Sequence, residues 1–231
     1  MKNLILIICV CFFVPVYAAD QVKLLSAPVD LDDKSSLQRG ARNFINYCLN
    51  CHSASYMRYN QLKLIGLSEE TIKKDLLFTA DKIGDPMDIS MQNENAKVWF
   101  GAAPPNLSVT ARSRGADWIY SYLRGFYRDS SREMGWNNTV YQNSAMPHIL
   151  WELQGEQFYD TTSNSLILQK NGLLSPEEYD QFIGDITNFM VFVSEPNQQK
   201  RKQIGYYVLA FLLLLLVLVI NLKKEYWKNI K

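Results

Sequence analysis

The sequence predicts a mainly α protein with long loops, tethered by one C-terminal helix that crosses a membrane. Three observations lead there. Several stretches repeat apolar residues at steps of three and four, the period of one helical face. Strand-like alternation is scarce. The segment QIGYYVLAFLLLLLVLVINL, between Lys202 and Lys223, holds no charged residue.

The chain opens with a second apolar run. In MKNLILIICVCFFVPVYAAD, Lys2 supplies a positive start, Leu4 to Val14 is apolar, Pro15 breaks the run and Val16-Tyr17-Ala18 offers a cleavage site. Residues 1–18 read as a secretory signal peptide, cut after Ala18 or Ala19, and too short to span a bilayer comfortably. Bulky Ile8 and Val10 before Cys9 and Cys11 argue against a lipoprotein signal. Cleavage leaves Cys48 and Cys51 as the only cysteines of the exported protein. A disulfide is the default reading of such a pair in an oxidising compartment.

In SLQRGARNFINYCLNCH, a helix is expected from about Ser36, with Leu37, Ala41, Phe44, Ile45 and Cys48 on one face. Gly40 costs that helix about 1 kcal/mol relative to alanine, which close approach of another helix would offset. Ser68 is the expected cap of the next helix, with Glu69 and Glu70 in its first turn. Lys82 to Asn95 is turn-rich and acidic and reads as surface loop. WFGAAPPNLS must be extended across Pro104-Pro105. GADWIYSYLRGFY reads as an amphipathic helix showing Trp118, Ile119, Tyr122 and Leu123 on one face, and NSAMPHILWELQG follows a loop rich in Trp, Asn and Gly. The clearest helix starts at Ser175, with Pro176 at its first position and Glu178 completing a capping box. Its apolar stripe is Tyr179, Phe182, Ile183, Ile186, Phe189, Met190 and Val193. Pro196 ends it. A basic linker, 200–203, then leads to a span of 19 residues, 204–222, which as a helix is about 28 Å long. Tyr206 and Tyr207 near one end, and Tyr226 and Trp227 past the other, form an aromatic belt. Export of residues 19–199 puts the tail, 223–231, in the cytoplasm.

Charge divides at the same boundary. Residues 19–199 carry 16 basic and 22 acidic side chains, a formal −6, whereas from Lys200 onward there are seven basic residues and one acidic. A basic partner outside fits this balance, and nucleic acid does not.

Cys48, Cys51 and His52 stand as Cys-x-x-Cys-His. Zinc needs four ligands; the exported chain adds only His148, and His52, next to Cys51, is badly placed to join the same tetrahedron. A redox dithiol belongs at a helix N-terminus in a βαβ setting; this pair ends a helix. A c-type haem uses every residue: two thioethers to the vinyl groups, and the adjacent histidine beneath the iron. Few helices and many loops make a weak core, and a large planar apolar cofactor supplies the missing buried surface. Met57, Met87, Met91, Met134, Met146, Met190 and His148 are the candidates for a sixth ligand. Pro147 would stiffen the loop that presents Met146, and His148 competes two residues on. An open sixth position would instead suit gas binding or peroxidase chemistry.

The segments RGARNFINYCLNCHSASYMRYNQL, GAAPPNLSVTARSRGADWIYSYLRGFY, AMPHILWELQG and SEPNQQKRKQIGYYVL occur in the order seen in the cytochrome c1 family, haem subunits of the cytochrome bc1 (quinol–cytochrome c reductase) complex. The resemblance covers nearly the whole mature chain and is of the compact bacterial type. It implies a mainly α, class I cytochrome c-like haem domain with long loops, plus the C-terminal transmembrane helix. It implies one haem c on Cys48 and Cys51, with His52 as proximal and Met146 as distal iron ligand. By the same resemblance, Arg112 pairs with a haem propionate, Pro105 lines the pocket, and Trp118 stands where the family commonly has a tyrosine near the propionate. Asn106 replaces a frequent aspartate. The implied task is electron relay from the Rieske iron–sulfur protein to cytochrome c, beside cytochrome b, with no substrate bond made or broken here. The implied place is a bacterial inner membrane, haem domain on the periplasmic side. The stretch from Gly66 to Asn95, with seven carboxylates against three lysines, is a candidate docking field for a basic cytochrome c. A free-standing membrane-anchored cytochrome c and a haem enzyme with an open iron are the rival readings.

Overall fold

A computed structural model describes residues 23–229. The expected signal peptide lies outside the described residues. Helix α1, Lys34–Tyr47, starts where the Asp33 carboxylate accepts the Ser36 N–H at 3.0 Å and ends at Cys48. The other long helix of the domain is α7, Pro176–Ser194, begun by the expected capping box between Ser175 and Glu178. A proline at its first position sets φ for the helix and removes an N–H that would lack a partner.

Helices α1 and α7 pack directly together at Gly40. A Cβ there would stand 2.0 Å from the Asp185 carbonyl oxygen and 2.8 Å from Phe189 Cβ. The glycine thus serves the close approach expected of it. Beside this contact Arg39 grips Asp185 with two parallel bonds, at 2.7 and 2.9 Å, and Phe44 meets Phe189 with ring centroids 5.5 Å apart. Leu37, Ala41, Ile45, Ile183, Ile186 and Met190 complete the buried seam.

Shorter elements wrap around this pair. A strand, β1 (Ala54–Arg58), leads into a 3-10 helix (Tyr59–Ile65), and α2 (Glu69–Asp75) follows, capped by Ser68. The stretch Lys82–Asn95, expected as loop, contains a two-residue strand, β2 (Pro86–Met87), paired antiparallel with β1, and the start of α3 (Asn93–Phe100). Ala102 to Leu107 forms no helix, as its two prolines require. Then come α4 (Thr110–Arg114) and α5 (Ala116–Arg124), the latter tied to α7 by the Tyr179 hydroxyl donating to the Leu123 carbonyl at 3.0 Å.

Two further antiparallel pairs were not expected from the residue pattern. β3 (Phe126–Arg128) pairs with β4 (Trp136–Asn138), and, after the short α6 (Trp151–Gln154), β5 (Gly155–Asp160) pairs with β6 (Ser165–Asn171). The second hairpin is barely buried on either face, so it lacks the apolar alternation by which a half-buried strand is recognised. Its turn signal is real: Asn164 adopts φ 52°, a left-handed conformation that asparagine tolerates.

The final helix, α8, runs Gln198–Tyr226 without a break. The basic residues 200–202 are therefore its first turns and not a linker; the break in the chain is Glu195–Asn197, where Arg201 reaches back to the Glu195 carboxylate. At 29 residues the helix is about 43 Å long. Its apolar side chains, Ile204 to Leu222, are exposed all round. A helix apolar on every face needs an apolar surrounding, which a bilayer provides.

Candidate functional site

Helix α1 delivers Cys48 to the domain interior as its C-cap, one residue past Tyr47. The chain then folds into a tight turn in which the Cys51 and His52 N–H groups both donate to the Cys48 carbonyl, at 3.1 and 2.8 Å. This turn brings the two sulfurs and the imidazole to one wall of a cavity of about 610 Å³. Cys48 and Cys51 are free thiols, and burial pushes Cys48 up to about 12 and raises Cys51 as well. A redox-active pair works through a thiolate of lowered pKa, and burial shifts both of these thiols in the other direction. Zinc fares no better: among the described residues no three His, Cys, Asp or Glu side chains come together as a metal-ion site.

His52 is nearly buried, and its Nδ1 lies 2.8 Å from the Pro105 carbonyl oxygen. A carbonyl only accepts, so Nδ1 carries the proton and Nε2 keeps its lone pair for a metal. Burial lowers the histidine's pKa while the Pro105 bond opposes that shift; the neutral ring is the form that ligates.

The Pro104–Ser108 segment that supplies this carbonyl is itself fastened to the chain after the Cys-x-x-Cys-His turn. The Leu107 N–H donates to Ser53 O at 2.8 Å, and the Tyr56 N–H donates to Ser108 Oγ at 3.0 Å. Asn106 completes the seam: Nδ2 donates to Ser55 Oγ at 3.0 Å and Oδ1 accepts the Ser108 N–H at 2.9 Å. An aspartate could make the second bond but could not donate the first.

The opposite parts of the wall come from α4 and α5 and from the loop before α6. Thr110, Ser113, Arg114, Trp118, Ile119 and Tyr122 line it, as do Asn143 to Pro147, with Met146 among them; Met190 enters from α7. Of the seven candidate sixth ligands, Met146 and Met190 alone reach the wall. Met57 and Met87 are fully buried in the core elsewhere. His148 turns away, stacked on Phe126 at 4.8 Å and edge-on to Trp136 at 4.9 Å. It is 2% exposed, and burial pushes it down to about 3. It is a neutral packing residue.

Arg112 departs from expectation. It is exposed, it does not line the cavity, and its charge helps to hold the Glu195 carboxyl below its usual range, after Arg201. The reason is helical phase: positions 110, 113 and 114 share one face of α4, and 112 falls on another. The guanidinium in the wall is that of Arg114, whose carbon lies 5.2 Å from the Trp118 ring centroid. Trp118 also lines the cavity, stacked on Tyr122 at 4.9 Å with planes 7° apart. Residue reading missed Arg114, Tyr122 and Ser144 as site residues. The three-and-four spacing from Thr110 could have found Arg114; Tyr122 was placed on the right face and given no task.

Two adjacent free thiols, an imidazole with Nε2 available, a thioether in the same wall and a mostly apolar lining are a donor set that fits a haem. The cavity lies within the range of about 300–1,000 Å³ usual for cofactor pockets.

The sequence matches the Cytochrome C1 family over residues 25–230. It is 47% identical over 230 residues to a protein of Nitrosomonas europaea named ammonia monooxygenase gamma subunit, covering 100% of this chain and 98% of that one. It is 45% identical over 218 residues to the cytochrome c1 of Allochromatium vinosum, covering 90% and 89%. A chain of the solved "Hyperthermophilic respiratory Complex III" is a looser match, at TM-score 0.46 and 15% identity, covering 100% of this chain and 95% of that chain.

Proposed function

This chain belongs to the cytochrome c1 family, and from that premise we propose that it carries one covalently attached haem c and relays electrons within a cytochrome bc1 complex. The observation that carries the site assignment is the Cys48–His52 turn, whose histidine is oriented by the Pro105 carbonyl in the wall of a cavity that also presents Met146. Cys48 and Cys51 would hold the haem covalently, His52 Nε2 and the Met146 sulfur would ligate its iron, and the Pro105 carbonyl orients the imidazole. The haem supplies one-electron chemistry, with a potential that a thioether ligand raises relative to two imidazoles.

The chain's own residues set the conditions of that transfer. Pro104, Pro105, Ile119, Leu123 and Met190 give the cavity an apolar lining, which would keep water from a bound haem and disfavour its more highly charged oxidised state. Arg114 stands in the wall where a propionate needs a cation, and Arg112 lies on the neighbouring face of the same helix. Trp118 and Tyr122 present flat apolar faces. Electrons enter from a Rieske iron–sulfur protein beside cytochrome b and leave to a cytochrome c. Among the described residues, Asp75, Asp81, Asp85, Asp88 and Glu94 form no ion pair, so this part of the surface keeps a negative field that a basic cytochrome c would meet. Helix α8 anchors the domain with its last residues in the cytoplasm and the haem domain outside. The Nitrosomonas relative's name places that protein with an oxygenase; an electron carrier serves either assembly, and the partners tell them apart.

Two measurements on protein purified in mild detergent test the reading together. The intact mass should equal the chain from residue 19 or 20 plus one haem, and cytochrome b and the Rieske protein should co-purify. A mass equal to the polypeptide alone would sink the haem assignment. Haem-loaded protein without those partners would favour a free-standing cytochrome, and co-purifying oxygenase subunits would favour the other assembly.

A further inference from the structure

The Tyr122 hydroxyl is part-buried, and among the described residues its hydrogen-bond partner is Ser144 Oγ at 2.7 Å. Ser144 Oγ in turn accepts the Met146 N–H at 3.3 Å. The tyrosine ring has little room to leave. Trp118 stacks on one side of it at 4.9 Å, and Phe126 meets it edge-on at 5.1 Å. The same residue holds the base of the loop through its main chain, where its carbonyl accepts Asn138 Nδ2 at 2.8 Å. Asn138, fully buried, accepts the N–H groups of Val140 and Tyr141, and Asn137 accepts that of Asn143. The start of the loop is therefore fixed by two buried amides. Between Ser144 and Pro147, among the described residues, the tie to α5 is the Tyr122–Ser144 bond. Pro147 has no N–H to add another.

We propose that Tyr122, acting through Ser144, is a positioning residue that holds the Met146 sulfur at its place in the cavity. The inference rests on the assignment of Met146 as the sixth haem ligand. The bond joins an α5 side chain packed between two aromatic rings to the short stretch that must not swing out. Loss of either hydroxyl raises the fraction of molecules whose sixth position is open, and an added ligand binds in proportion to that fraction.

The test uses the full-length, haem-loaded protein in detergent, with the oxidised form titrated with imidazole. Tyr122→Phe keeps the stacked ring, and both it and Ser144→Ala should bind imidazole about fivefold more tightly, the equilibrium worth of one hydrogen bond. The double variant should match either single, about fivefold and not about twenty-five, because both changes break one chain. Tyr59→Phe removes a comparable hydroxyl bond, to Thr79 Oγ1 at 3.0 Å, away from the cavity, and should leave imidazole affinity at the parent value. Met146→Leu separates the two levels of the argument. If it does not tighten imidazole binding, the ligand assignment fails. If it does while Tyr122→Phe and Ser144→Ala stay at the parent value, or if Tyr59→Phe shifts as far as they do, the positioning role is overturned and the ligand assignment stands.

Discussion

A histidine next to a cysteine in sequence has two ring nitrogens to offer, and the Pro105 carbonyl selects between them by accepting a hydrogen bond from Nδ1–H. That selection depends on a segment 53 residues away, held in place by Asn106, Leu107 and Ser108. At Met146 the choice is between two thioethers in one wall. Met146→Leu should lower the reduction potential and let carbon monoxide bind the reduced protein at neutral pH, whereas Met190→Leu, a near-isosteric core change, should do neither; a redox titration and a carbon monoxide difference spectrum check both. The two arginines of α4 are separated in the same way. Arg114→Gln should lower the potential by roughly 40 mV, about 1 kcal/mol for a one-electron couple, and Arg112→Gln by less, because only Arg114 is in the wall. Equal shifts would mean that both guanidinium groups reach the haem edge.

Among the elements, α1 and α7 decide whether there is a site at all, since one ends at Cys48 and the other carries Met190 into the cavity. Their contact is closest at Gly40. Gly40→Ala should destabilise the domain by about 3 kcal/mol or more, because the new methyl meets main chain that cannot step aside; thermal unfolding followed at the haem absorption band would read it. Ser175→Ala removes the side-chain half of the α7 capping box and should cost about 1 kcal/mol without moving the haem spectrum. These elements differ in how readily the residues declare them. The Ser175 box, the Ser68 cap and the α1 stripe are local signals, and each appears where spacing placed it. The β5–β6 hairpin is nearly all surface, so neither face carries an apolar period to read. The basic run at 200–202 resembled a link because its charge stands out, yet charged residues of high helical propensity simply continue α8 toward the domain.

For the molecule as a whole, the domain and its anchor are nearly independent. No side chain of α8 is buried, and among the described residues its side-chain ties to the domain are the Glu195–Arg201 pair and a Gln199–Asp32 bond. Ending the chain after Asn197 should therefore release a soluble haem domain whose melting temperature matches that of the detergent-held full chain within about 2 °C. Charge is the other whole-molecule property. With 22 acidic against 16 basic side chains in residues 19–199, electron transfer to a basic cytochrome c should slow as ionic strength rises, which stopped-flow mixing across a salt series would measure. A rate indifferent to salt would mean that the acidic surface takes no part in docking.

The sequence by itself determined the Cys-x-x-Cys-His motif and the apolar C-terminal helix, because both are written in contiguous residues: Cys48, Cys51 and His52 lie within one turn, and the span is a single apolar run. Through its resemblance to a known family it also named Met146, which lines the cavity, as a candidate ligand. Tertiary structure decided which groups face one another across the cavity. Arg114 and not Arg112 enters the wall, His148 turns into an aromatic cluster, and Tyr122 meets Ser144, because helical phase and loop closure bring together residues whose separation in sequence carries no record of their contact.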